Sequence, residues 1–208
     1  VSKEFYNGLN GLLDQTDTKT GLDLEGFLYS VAGETSDIIV YVTGHSQGGG
    51  LTPMMLAYVN KWSEGWKNTG KTSLAAYAFA PPSSGDPNFA NWISKNVTSF
   101  QVMNPLDIVP FGYASIMDLI HDNIPEKVGI LDEPLIKLAA DLAEKVGPWQ
   151  QPEIIKKLGY VQLPESIHYF HQVAAQHNHN SYLYLLGVKQ TDIGDESILP
   201  KYADTIKS

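Results

Sequence analysis

The chain has 208 residues, a formal net charge of −9 and no cysteine. A single domain of that length buries roughly 70% of its unfolded surface, and the acidic balance argues against nucleic acid and against docking on an anionic membrane by charge. Without cysteine there is no disulfide, thiolate metal site or cysteine nucleophile, and no apolar run approaches the ~20 residues of a membrane span.

In chain order, Phe5, Leu9, Leu12 and Leu13 fall on one face of a short helix that Gly8 and Gly11 weaken. Residues 14–21 are polar and threonine-rich, a loop, and Leu22 to Val31 resume a helix. Ile38 to Val42 are β-branched or aromatic without charge, which predicts a strand buried on both faces. It runs into Gly44-His45-Ser46-Gln47-Gly48, after which Leu51, Met54, Met55, Tyr58, Val59 and Trp62 recur at helical spacing. Ser63 to Lys71 is a loop, Leu74 to Ala80 a second buried strand stopped by Pro81-Pro82, Phe89 to Ser94 a short helix, and Ser99 to Met103 a third strand. Strand and helix alternating in this way imply a parallel sheet wound with helices.

Past Pro110 the rhythm changes. Ser115 to Ile120 and Pro134 to Val146 are amphipathic helical stretches with no strand between them, so residues of about 111–151 read as a helical insertion, and the whole of 1–208 as one domain. Ile154 to Leu163 is a last strand, Ser166 to Gln176 a helix, and Asn180 to Gly187 carries Tyr182, Leu183, Leu185 and Leu186. The tail after Lys189 is polar and peripheral.

A Gly-x-Ser-x-Gly string between a strand and a helix is the arrangement of a nucleophile elbow, in which the serine sits at the tip of a strained turn. Gly44 and Gly48 are expected where a Cβ would collide with neighbouring backbone, and the helix start points N–H groups at an oxyanion formed beside Ser46. A serine hydroxyl needs a base, and the base a carboxylate to fix its tautomer. Asp107, just past the third strand, projects to the same rim as Ser46, whereas Asp118, Asp132 and Asp141 lie in amphipathic helices with solvated faces. His168 and His171 fall on a helix, His121 in the insertion and His45 inside the elbow. His177 and His179 occupy a polar break suited to a base, and position alone does not choose between them.

Three blocks carry a resemblance to the class 3 (fungal-type) lipase family of α/β-hydrolases: Val42-Thr43-Gly44-His45-Ser46-Gln47-Gly48-Gly49, Tyr77-Ala78-Phe79-Ala80-Pro81-Pro82, and Asn104-Pro105-Leu106-Asp107-Ile108-Val109-Pro110. The family's late block, His-Asn-x-x-x-Tyr-Leu, is similar to His177-Asn178-His179-Asn180-Ser181-Tyr182-Leu183. The resemblance implies an α/β-hydrolase-like fold and a serine hydrolase of lipid esters working without a cofactor or metal. In it Ser46 is the nucleophile, His177 the base, Asp107 the acid, and the Gln47 backbone N–H an oxyanion donor. It also implies a lipid or small-ester substrate, a lipid–water interface and a secreted or periplasmic location.

Departures from the family pattern are Gln47 for leucine, Pro53 inside the elbow helix and Pro82-Ser83-Ser84 for Pro-Arg-x. Family members carry upstream strands and a loop with a second oxyanion N–H. The sequence opens at Val1 with no signal peptide, so an upstream segment of the same protein is expected to complete the fold. Two other readings fit the same residues. One is a metal-binding module built on His168, His171, His177 and His179 with Glu165 at its edge; the other is a hydrolase scaffold without activity.

Overall fold

The computed structural model describes residues 1, 3–34, 37–67, 70–104, 107–111, 154–157, 160–162, 175–188 and 205–207. Two helices, α1 (Lys3–Leu13) and α2 (Leu24–Glu34), precede strand β1 (Ile38–His45), which turns at Ser46 into helix α3 (Gln47–Ser63). Strand β2 (Thr72–Phe79), helix α4 (Pro87–Asn96) and strand β3 (Ser99–Met103) follow. Farther on come β4 (Ile154–Lys157), β5 (Tyr160–Gln162), helix α5 (His179–Leu185) and β6 (Thr205–Lys207). The first four strands form one parallel sheet in the order β1-β2-β3-β4, and β5 pairs antiparallel with β6.

Register decides which side chains share a face, because partners in a parallel pair point the same way. Ile38 pairs with Thr72 and His45 with Phe79, while Tyr77 pairs with Phe100 and Phe79 with Val102. Ile38 and Gly44 therefore lie on one face and Tyr41, His45, Tyr77, Phe79 and Val102 on the other. Helix α3 packs against the first face, where Gly44 lets it approach closely: a Cβ there would sit 2.4 Å from the Gly48 carbonyl oxygen and 2.7 Å from Thr52 Oγ1. Helix α5 covers the carboxyl end of the other face, with Tyr182 in a buried cluster with Ala80 and Val102, and Phe79 and Leu185 packed against it.

Outside these layers, α1 lies across α3. Its Phe5 and Leu9 are buried beside Met54, each contributing about 1.5–3 kcal/mol, and the Phe5 ring rests over Gly50, where a Cβ would be 2.4 Å from it. Leu12, expected on the same face, is instead exposed. Helix α4 starts at Asp86, whose side chain accepts from the Phe89 N–H at 2.9 Å, with Pro87 in the first turn, where its missing N–H costs nothing.

Several expectations need correction. β1 is not buried on both faces: Ile39 and Tyr41 are each 63% exposed, and among the described residues the helix over that side, α5, packs at the carboxyl end of the sheet. Tyr41, Tyr77 and Phe100 instead form a row across three strands, with ring centroids 6.0 Å and 4.9 Å apart. Pro53 leaves α3 unbroken through Ser63. The strand predicted over Ile154 to Leu163 divides into β4 and β5, which join different sheets, and the polar tail supplies β6. Of the helical insertion at about 111–151, only Phe111 belongs to the described residues, and it is buried. Residues 163–174, with most of the helix expected over Ser166 to Gln176, lie outside them.

Candidate active site

The turn between β1 and α3 places Ser46 at φ 59 and ψ −125, a conformation that L-residues rarely hold without being over-determined by their surroundings. Two bonds hold it: the Ser46 N–H donates to the Phe79 carbonyl at 3.0 Å and the Gly50 N–H to the Ser46 carbonyl at 3.1 Å. Ser46 caps α3 without using its side chain, so the hydroxyl stays available. Gln47 is the first residue of α3, where N–H groups have no acceptor inside the helix. Of the two elbow glycines expected to relieve a collision, only Gly44 does so. Around Gly48 nothing lies within 4 Å of a built Cβ; the close approach falls to Gly49, whose Cβ would be 2.7 Å from the Phe79 carbonyl oxygen.

Opposite the elbow, the segment ahead of α5 brings His177 to Ser46. His177 Nε2 lies 2.7 Å from Ser46 Oγ, and Nδ1 lies 2.9 Å from Oδ2 and 3.0 Å from Oδ1 of Asp107. With Nδ1–H directed at the carboxylate, the Nε2 lone pair faces the serine hydroxyl. Asp107 is fully buried and also accepts from the Val109 N–H at 2.9 Å and the Tyr182 hydroxyl at 2.7 Å. A buried charge is tolerable only when so bonded.

A second set of bonds ties the two segments together. The Asn104 N–H donates to the Tyr182 hydroxyl oxygen at 3.0 Å, and Asn104 Nδ2 donates to Gln176 Oε1 at 2.6 Å. Ser181 Oγ donates to the Ala175 carbonyl, and Asn178 caps α5 by accepting from the Asn180 N–H at 2.9 Å. Burial, and after it the negative charge of Asp107, pushes the Tyr182 hydroxyl well above its ordinary value, so it remains a donor. Burial holds the His45 imidazole below the usual histidine range; like charge on His177 acts the same way, and Asp107 opposes it.

Ser46, Asp107 and His177 are thus brought together. His179 is exposed at the start of α5 and does not join them; its ring centroid is 6.3 Å from that of His45. His121, His168, His171, Asp118, Asp132, Asp141 and Glu165 lie outside the described residues, among which no group of three or more histidine, aspartate or glutamate side chains is arranged to hold a metal ion. Tyr182 and His45 are the two site residues to which sequence reasoning gave no task. The five-residue step from His177 to Tyr182 carried the signal for Tyr182. Chemically, the arrangement can move a proton from Ser46 Oγ to His177 while Asp107 holds the ring.

A parallel sheet with helices on both faces, and an elbow serine on the rim where the histidine and aspartate meet it, define an α/β-hydrolase-like protein. A model of the class 3 lipases matches residues 4–115, more than half of the chain, and the chain belongs to that family. The solved structure of M37 lipase is similar to it with a TM-score of 0.75 and 25% identity, covering 90% of this chain and 58% of that one. The chain therefore spans less than two thirds of that lipase. A variant of MDLA from Penicillium cyclopium matches with a TM-score of 0.37 and 24% identity, over 52% of this chain and 34% of its own. No curated protein sequence matches.

Proposed function

We propose that the protein hydrolyses carboxylic esters of lipids through an acyl-enzyme. Ser46 Oγ attacks the acyl carbon while His177 Nε2 takes its proton, Asp107 steadies the imidazolium, and the Gln47 N–H at the start of α3 stabilises the oxyanion. His177 then returns the proton to the leaving alkoxide, and water, activated by the same histidine, releases the acid. The observation that carries this reading is the hydrogen-bonded line from Ser46 through His177 to Asp107 at a strained elbow. Membership of a lipase family supports the lipid ester as substrate. A lipid–water interface as the place of action and a secreted or periplasmic location belong to the same reading.

The reading extends to the exposed side of β1. Among the described residues β1 pairs with β2 alone, and Ile39 and Tyr41 beside its open edge are exposed. Further chain of the same protein, upstream of β1, would cover this surface and bring a second oxyanion donor. Protection of the β1 amides from hydrogen exchange when such residues are added would support this extension; unchanged exchange would count against it.

The central test is labelling with a fluorophosphonate, with the modified residue located by peptide mass spectrometry. Modification at Ser46 that disappears in Ser46→Ala, together with turnover of an acylglycerol, is the expected result. A folded sample that neither labels nor turns over esters would defeat the proposal.

A further inference from the structure

His45, the last residue of β1, is the immediate neighbour of Ser46. Its ring lies 4.9 Å from that of His177, centroid to centroid, tilted by 34°. Tyr182 meets it edge-on at 5.5 Å and His179 at 6.3 Å, so one ring touches three side chains of the segment that carries His177. His45 Nε2 is buried with no hydrogen-bond partner. A buried polar atom left unpaired costs free energy that an apolar ring would avoid, which points to a task for the ring itself.

We infer that His45 is a positioning residue whose ring holds the imidazole of His177 at hydrogen-bonding distance from Ser46. The inference rests on the reading of Ser46 and His177 as nucleophile and base. A base in this chemistry works twice from one place, first taking the serine proton and then handing it to the leaving alkoxide, and a slip of the ring spoils both transfers. The His45 ring, beside it at 4.9 Å, limits tilt of His177. For this task His45 must stay neutral, because a second cation beside the His177 imidazolium would oppose it. The groups facing it are His177, His179, Tyr182 and Asp107, and its burial disfavours its charged form.

Two variants remove the ring contact. His45→Leu puts an apolar side chain in its place and His45→Asn a polar one. Each is expected to lower kcat on an alkyl ester about 10- to 100-fold with KM little changed. The loss should be several-fold smaller on a p-nitrophenyl ester, whose leaving group departs as an anion without a proton. A merely structural role would lower the melting temperature and reduce both substrates' rates alike. Melting curves are therefore recorded for both variants, and either folded variant suffices for the comparison. Wild-type kcat on both esters, or equal losses on both, would overturn the inference while leaving the hydrolase reading intact. No turnover and no fluorophosphonate labelling of the unsubstituted protein would remove that reading, and this inference with it.

Discussion

The Tyr182 hydroxyl donates to Oδ2 of Asp107 at 2.7 Å across 75 residues of sequence, and the hydroxyl oxygen itself accepts from the Asn104 N–H at 3.0 Å. One buried phenol therefore satisfies groups at both ends of the loop that carries the acid. Tyr182→Phe would take this acceptor from the Asn104 N–H and one donor from Asp107, whose carboxylate keeps His177 and Val109, and should cost about 1–3 kcal/mol of stability. The titration adds a second signature. The folded state holds this hydroxyl above the unfolded value of about 10, so the stabilisation is complete below that pH and is lost as pH rises beyond it. Denaturant unfolding of the native protein should weaken above about pH 10, and Tyr182→Phe should show a shallower decline.

His45 has the opposite sign. Its folded-state value lies below the ordinary histidine value of about 6.5, with burial as the main cause, so the unfolded chain takes up the proton first. Its contribution to stability is present above about pH 6.5 and lost as pH falls beneath it. Unfolding midpoints measured between pH 7 and pH 5 should fall less in His45→Phe than in the native protein.

Ala80 follows β2 at φ 48, in the left-handed region, with its methyl fully buried. Replacing it with glycine relieves about 1–2 kcal/mol of backbone strain, against about 0.8 kcal/mol for the lost methyl and about 0.5–1 kcal/mol for glycine's greater freedom when unfolded. These nearly cancel, so Ala80→Gly should be close to neutral in melting experiments. Ala78 is equally buried but lies within the strand, with no strain to relieve. Ala78→Gly should cost about 1–2 kcal/mol.

The elbow glycines should likewise separate. Gly44→Ala drives a Cβ into the Gly48 carbonyl and should cost more than about 2 kcal/mol, with loss of fluorophosphonate labelling. Gly48→Ala meets open space in the first turn of a helix and should leave stability unchanged or raise it by up to about 1 kcal/mol. Melting temperatures of the two variants, measured side by side, decide it.

Much of this is legible in the sequence alone. Ser99 to Met103 reads as a strand with the boundaries that β3 has, because the run is uncharged and ends at Asn104-Pro105. Elsewhere tertiary placement mattered. The charge-free run from Ile38 to Val42 announces a strand but not how many of its faces are covered. Gly44 and Gly48 are equivalent in the motif, yet only Gly44 faces the crossing helix. The split after Lys157 could not be foreseen, since β5 takes its partner from a polar tail with no strand signal. Tyr182 stood in the late block, but its task depends on the end of β3 and the start of α5 meeting, a fact of packing that local periodicity does not carry.

Ser46 and His177 are 131 positions apart in sequence, and their contact closes a loop of that size. The entropy of closure grows with the logarithm of loop length, so this contact costs roughly 2 kcal/mol more to form than one across ten residues. The pairing of β1, β2 and β3 and the packing of α3 are far more local, and they can be complete while the base is still absent. On refolding, helical circular dichroism should therefore return before reactivity at Ser46 does, the order expected when long-range contacts are the slow ones. The interval between the two would time the arrival of His177.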